Sequence, residues 1–308
     1  MEGFPGLYEG VANFANIEVW KRARSLLNDP RLRTVILAYC RDMSIPSPIS
    51  WPSHKIFGQK FRYLTSFILI GNYVRWLDHA ERLPTLTALQ ESVPASPRQV
   101  ADLIKDLRLG GYVQAIPSRH DRRATLLAPT PALLLEVAQS PLACLAAAEA
   151  LGQAHPGTGA KLRAEPHLLA RWIGESVKDY LIADTLFMPF PTIVSFSERD
   201  AGYMILTAVM GSHHADLSPE EAWELNLKRE PLARRFHVSP QHIGNIFNEA
   251  KADGLFEVRR SKVAKMNADL RTEFNTFVLG QIIHYALVAG RINDMCPMSD
   301  DRLTSFSC

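Results

Sequence analysis

The sequence predicts a mainly helical chain with small β wings, built from two copies of one unit, and three observations carry that prediction. The first is an internal repeat: a shift of 143 positions sets residues 96–112 on residues 239–255. Ser96 then falls on Ser239, Pro97 on Pro240 and Gly111 on Gly254, and the apolar positions between them coincide, Val100 with Ile243, Leu103 with Ile246, Ile104 with Phe247 and Leu107 with Ala250. A missed repeat would miscall the whole architecture. The second is length: 308 residues at about 150 per domain also gives two. The third is composition, 47% apolar and 21% charged with 17 Gly and 20 Pro, which excludes collagen-like, wholly disordered and disulfide-scaffold chains.

Taken in order, residues 17–27 and 31–42 read as amphipathic bracing helices, and 46–52 as a connecting loop. Residues 61–76 and 201–211 are apolar support helices, and an offset of about 140 pairs Tyr63 with Tyr203, extending the repeat into them. Short helices follow at 85–93 and 227–236, and turns of about three residues, through Pro94-Ala95 and His237-Val238, lead to Ser96 and Ser239. Each serine hydroxyl can satisfy free N–H groups of a helical first turn, and the proline behind it sits where its missing N–H costs nothing. The apolar spacing of three and four makes one buried stripe, and Gly111 and Gly254 supply the left-handed residue that ends each helix. Strand-forming runs come next, at 112–116 and 255–258. Two short helices with a tight turn, then glycine, strand, basic turn and strand, describe a winged helix-turn-helix in each half. Residues 131–151 and 269–288 are long helices that would pair the halves about a pseudo-two-fold.

The expected organisation is a helical extension at 1–50, a first winged domain at 51–152, a linker with bracing helices at 153–190, a second winged domain at 191–290 and a loose tail at 291–308. The Gly- and Pro-rich stretch 154–166 marks the boundary. Its GTGAK run, residues 157–161, lacks phosphate-loop spacing and a preceding strand, so it reads as linker. The best membrane candidate, 64–74, is too short and is flanked by Arg62 and Arg75. With Glu2 and no basic, apolar leader, the chain is expected in the cytoplasm, associated with the nucleoid, with no membrane partner.

Cys40, Cys144, Cys296 and Cys308 show no paired spacing and read as free thiols. GxSxG, HExxH and dinucleotide glycine motifs are absent, so no enzyme activity, metal or cofactor is expected. His213 and His214 with Asp216 suggest a partial metal site, set against an exposed polar loop, which is the reading adopted. The aromatic groups Trp20, Tyr39, Phe61, Tyr63, Trp76 and Trp172, Phe187, Phe190, Tyr203, Trp223 read as core in preference to an effector pocket.

Charge is where the halves become informative. Residues 96–123 carry +3 and residues 228–262 carry +4 against +2 for the whole chain, leaving the remainder at −5. Positive charge concentrated on helix and wing is the footprint of phosphate neutralisation on duplex DNA. Off the buried stripe, near the N-terminus that enters a major groove, lie Ser96, Arg98, Gln99 and Asp102 in the first unit and Ser239, Gln241, His242 and Asn245 in the second. Arginine reads guanine and Gln or Asn read adenine by paired hydrogen bonds, whereas the plainer alternative is a solvated helix face. Asp102 can instead orient Arg98 one turn away.

Around the first wing, Arg119, Asp121, Arg122 and Arg123 precede a strand and then Thr130-Pro131-Ala132. This pattern resembles the wing and following helix start of multiple antibiotic resistance regulator (MarR) type proteins. The resemblance covers about residues 83–134 well and the second half only in shape. It implies that Arg122 or Arg123 enters the minor groove while Asp121 fixes the hairpin, and a narrow electronegative groove suits arginine. The second wing, with Arg259, Arg260 and Lys262, is shorter and lacks the aspartate. Family members pair as homodimers, so two units in one chain imply a fused, internally pseudo-symmetric dimer, or a weak homodimer of such chains. Small-molecule control enters only through the resemblance, and no residue names a ligand.

The expected function is a sequence-specific regulator of transcription, a repressor occluding a promoter, that binds an asymmetric inverted repeat of double-stranded DNA. The alternatives are a plasmid-type replication initiator with tandem winged helices, favoured by directly repeated targets, and a winged-helix protein-interaction module, disfavoured by the Arg, Gln, Asn and His on the helix faces.

Overall fold

The computed structural model describes residues 6–45, 58–79, 82–118, 123–182, 185–217 and 225–294. After a 3₁₀ turn at Glu9–Phe14 come α1 (Glu18–Ser25), α2 (Leu32–Met43) and α3 (Lys60–His79). Then follow α4 (Leu86–Ser92), α5 (Pro97–Leu109), β1 (Val113–Pro117), β2 (Thr125–Pro129) and α6 (Pro131–Ala150). Helices α7 (Thr158–Ala164), α8 (Pro166–Ile182), α9 (Pro191–Ser197) and α10 (Gly202–Asp216) lead to α11 (Arg229–Phe236), α12 (Pro240–Ala252), β3 (Phe256–Arg259), β4 (Lys262–Met266) and α13 (Ala268–Asp294). The molecule is therefore mainly helical with two separate antiparallel two-stranded sheets.

The order support helix, short helix, second helix, hairpin, long helix occurs twice, as α3-α4-α5-β1-β2-α6 and α10-α11-α12-β3-β4-α13. Local chemistry explains the boundaries. Thr85 caps α4 by accepting from the Ala88 N–H, Ser96 caps α5 through Gln99 N–H at 3.2 Å, and Ser239 caps α12 through His242 N–H at 3.1 Å. Gly111 (φ 75°) and Gly254 (φ 69°) take the left-handed residue after α5 and α12, where a side chain would be strained. The stripes Val100, Leu103, Ile104, Leu107 and Ile243, Ile246, Ala250 are buried, with Phe247 half-buried, and each large apolar side chain so placed contributes about 1.5–3 kcal/mol.

Helices α6 and α13, which follow the two hairpins, pack against each other. Pro141 lies inside α6 and has no N–H to give the Val137 carbonyl four residues back. The Tyr63 hydroxyl of α3 donates to that carbonyl at 3.0 Å, so the support helix repairs the break. Its repeat partner Tyr203 on α10 meets Tyr39 of α2, hydroxyl to hydroxyl, at 2.6 Å. Helices α3 and α8 approach closely by a reciprocal fit: a Cβ at Gly71 would stand 3.1 Å from Val177, and one at Gly174 3.1 Å from Val74. Trp20 of α1 presses on Gly280 of α13, where any side chain would collide with the indole. Buried Glu273 of α13 accepts from the Thr192 and Ile193 N–H groups and so caps α9.

The sequence expectations need correction in several places. The segment 154–166 contains helix α7, whose first N–H groups are held by Glu149: Gly157 and Gly159 donate to its carboxylate at 3.2 and 2.7 Å. An internal carboxylate thus fills the place where a phosphate-loop reading would set a phosphate. His213 and His214 lie on α10, not in an exposed loop, and His214 is 2% exposed with its Nε2 3.0 Å from Asn275 Oδ1. The period of α10 turns one of two adjacent histidines inward, which a short polar reading of HHAD misses. The most apolar long window is α6 and not 64–74; it has the length of a membrane span, yet most of it is buried, against α2, α3, α8 and α13 among others. Of the aromatic groups, Trp20, Tyr39, Trp172 and Phe190 are buried, Phe61, Tyr63, Trp76, Phe187 and Tyr203 half-buried, and Trp223 lies outside the described residues. Cys40 and Cys144 are buried free thiols, and burial raises both thiol pKa values.

Candidate nucleic-acid interface

In the first unit the exposed N-terminal end of α5 presents Arg98, 93% exposed, with Asp102 one turn on at 3.9 Å. A pair this exposed stabilises little but biases where the guanidinium points. Ser96 and Gln99 are exposed but engaged with each other: Gln99 Oε1 accepts from the Ser96 N–H at 3.2 Å and from its hydroxyl at 2.9 Å. This reciprocal box consumes the Gln99 carbonyl oxygen and the Ser96 hydroxyl, so only the Gln99 amide NH₂ remains for a base edge. Gln99, expected to read adenine through paired amide hydrogen bonds, is thus engaged in capping α5. Strands β1 and β2 pair in unbroken register from Val113 with Pro129 to Pro117 with Thr125. Arg119, Asp121 and Arg122 lie outside the described residues, and Arg123 is exposed in the turn two residues before β2.

In the second unit Gln241 and Asn245, at the positions of Arg98 and Asp102, are both exposed and joined by a Gln241 Nε2 to Asn245 Oδ1 hydrogen bond of 2.8 Å. The i, i+4 pairing is thus shared while the chemistry changes from ionic to amide. His242 does not face outward as expected: its ring is half-buried, with Nε2 2.8 Å from the Asp200 carbonyl in the turn between α9 and α10. Arg199 in the same turn pairs with Glu249 of α12. Together these tether α12 to its support helix, so His242 is a positioning residue. Ser239 is exposed, with its hydroxyl committed to the helix cap.

The second hairpin also differs. Its register shifts between Glu257 and Val258, and its two-residue turn places Arg260 (φ 48°) and Ser261 (φ 69°) in the left-handed region. Both central residues with positive φ define the turn whose twist matches a two-stranded ribbon, normally filled by Asn and Gly. An acid that sequence reading overlooked lies in this hairpin: Glu257 accepts from Arg259 at 2.8 and 3.2 Å and pairs with Lys251 at 2.8 Å. Those hydrogen bonds pull the Glu257 pKa down to about 2. Arg259 is committed to this cluster, and Lys262 pairs with Asp216 at 3.3 Å. Arg260 alone of the three wing cations expected to meet DNA has no partner among the described residues.

Sequence reasoning missed Arg199, Glu257, Lys228 and Arg229. The signal for Arg229 was Gly244: Ala101 stands at that place in the first unit, and the absent side chain makes room for the Arg229 guanidinium, whose Cζ would lie 3.1 Å from a Cβ there. Among the described residues no group of three His, Cys, Asp or Glu is placed to hold a metal ion. No protein-family model, curated protein or solved structure matches this chain.

Proposed function

We propose that the chain is a transcriptional regulator that binds duplex DNA through two winged helix-turn-helix units in tandem, related by a pseudo-two-fold, and represses by covering a promoter. On this reading it resembles a fused, two-unit form of the MarR-type dimer and acts in the cytoplasm on the nucleoid, with one chain supplying both recognition helices. The observation that carries it is the shared construction of the two helix ends: each second helix exposes a capped N-terminus with a polar i, i+4 pair, Arg98 with Asp102 and Gln241 with Asn245, beside a basic hairpin. Such an end enters a major groove while the wing meets backbone or minor groove. The packing of α6 on α13 supports a single body presenting two such ends.

Because Arg98 favours guanine and the amide pair of Gln241 and Asn245 favours adenine, two half-sites about one helical turn apart should differ in sequence. The test is selection of bound duplexes from a random library, followed by mass determination of the complex on the enriched site. One chain on an asymmetric inverted repeat is expected. Several chains on direct repeats would move the reading to replication initiation, and no enrichment over random DNA would move it to a protein-interaction role.

A further inference from the structure

The second unit contains a cleft of about 340 Å³ that the first does not share in its chemistry. Its walls are the start of α11 with Lys228 and Arg229, the later part of α12 with Phe247 and Asn248, and the hairpin turn with Arg260 and Ser261. Lys228, Arg229 and Arg260 are exposed cations with no ion-pair or hydrogen-bond partner among the described residues. Glu230 also lines the cleft and offsets one of these three cations, while Glu257 opposite is already neutralised by Lys251 and Arg259, so the bowl remains net positive. The apolar part of its lining is the buried Leu227, the half-buried Val258 and the half-buried ring of Phe247.

The comparison with the first unit sharpens the assignment. Lys228 corresponds to Thr85, Arg229 to Leu86 and Gly244 to Ala101. Thr85 caps α4 with its own oxygen, whereas Lys228 gives α11 no side-chain cap; with Pro231 in the first turn, the Arg229 and Glu230 N–H groups are the donors left there without a side-chain cap. Gly244 lets the Arg229 guanidinium lie against α12 at the cleft wall. Arg260 is delivered to the rim by a turn in the left-handed region, a conformation that non-glycine residues hold only where the surroundings enforce it.

We propose that this cleft binds a small phosphate-bearing ligand of nucleotide size, its phosphate held by Lys228, Arg229 and Arg260 and its organic portion lying on Phe247. A bare DNA phosphate would use the cations but has no need of the Phe247 ring beside them, and a volume above about 300 Å³ is that of a small-molecule site. The walls are the helices and hairpin of one unit, so occupancy would fix the wing against α12. The inference stands apart from the DNA-binding reading, since the cleft can fill whether or not any duplex binds.

The test is calorimetric titration of the full chain, without DNA, with the four nucleoside 5′-monophosphates, inorganic phosphate and the four nucleosides. Saturable binding is expected for at least one monophosphate, tighter than for inorganic phosphate and absent for its nucleoside. Arg229→Gln with Arg260→Gln should weaken it about tenfold or more, because charged hydrogen bonds to phosphate are lost. Gly244→Ala, which favours the helix but crowds Arg229, should also weaken it, so a folding defect cannot mimic the result. No saturable monophosphate binding, inorganic phosphate binding as tightly as the nucleotides, or indifference to both variants would overturn the proposal. If the double variant instead lowered only the salt slope of duplex binding, by about two, the cations would belong to the DNA backbone and the proposal would fall.

Discussion

The two units reach one architecture by different means. In the first, the start of α5 is fixed by neighbours in sequence, Ser96 with Gln99, and the hairpin register is regular. In the second, α12 has the serine cap but is steadied by distant groups, His242 on the Asp200 carbonyl and Arg199 on Glu249, and its hairpin is bulged with a strained turn. Local devices hold a helix wherever it is placed, whereas tertiary devices fix it relative to the body. Helix α12 is therefore the one coupled to the core, and acid should show that coupling most strongly.

His214 ties α10 to Asn275 of α13, and His284 of α13 lies 2.9 Å from Ser176 Oγ of α8. Burial lowers both ring pKa values, to about 3 and about 4, with the Asn275 hydrogen bond and the Asp179 carboxylate opposing in part. The folded rings stay neutral while unfolded histidine protonates near 6.5, so between 6.5 and these low values the unfolded chain binds more protons. Stability is complete above about pH 6.5 and should fall by several kcal/mol by pH 4, at about 1.4 kcal/mol per unit per group. Hydrogen exchange should show α10 and α12 losing protection before α5. Equal loss in both units, or a flat stability from pH 7 to 4, would break the comparison.

A smaller difference is expected from the repeat-related core positions Phe236 and Val93. Phe236 is fully buried at the end of α11, and Val93 is 7% exposed at the end of α4. Phe236→Ala should cost about 3–5 kcal/mol and Val93→Ala about 2 kcal/mol in urea unfolding. Similar costs would mean that the cores beneath α4 and α11 are equally deep.

How much of this was legible follows the same division. The caps at Ser96 and Ser239, the terminating Gly111 and Gly254 and the apolar stripes are local signals with fixed spacing, and the helices stand where those signals put them. Contacts that join residues far apart gave no such signal. His242 with Asp200, Arg199 with Glu249 and Tyr63 with the carbonyl freed by Pro141 depend on how helices cross. His214 shows the limit from the other side, since its polar neighbours suggested a loop while helical period buried it.

On DNA, the direct-readout assignment separates from general electrostatics. Arg98→Ala and Asn245→Ala should each cost about 1–3 kcal/mol on the enriched duplex and relax different half-sites, one in each unit. Lys262→Ala, already paired with Asp216, should weaken all sequences alike and lower the salt slope by about one. Binding isotherms on enriched and random duplexes at several salt concentrations decide this. Equal losses on both duplexes for Arg98→Ala would remove its assignment to a base.

The smallest expected effect tests the opening contrast most directly. Gln99→Ala removes one side of a local box and should cost about 0.5–1 kcal/mol of stability, and Gln99→Glu should restore it, because a glutamate reaches back to the same N-cap N–H. His242→Ala removes the bond to the Asp200 carbonyl, worth about 0.5–1.5 kcal/mol net. His242→Gln recreates the serine-to-glutamine spacing of the first unit, so it should recover the cap of α12 without the tether. If positioning from the core matters, His242→Gln will regain thermal stability while its affinity for the enriched duplex stays low. Recovery of both together would show that a local cap suffices in either unit, and that the bond to Asp200 is incidental to recognition.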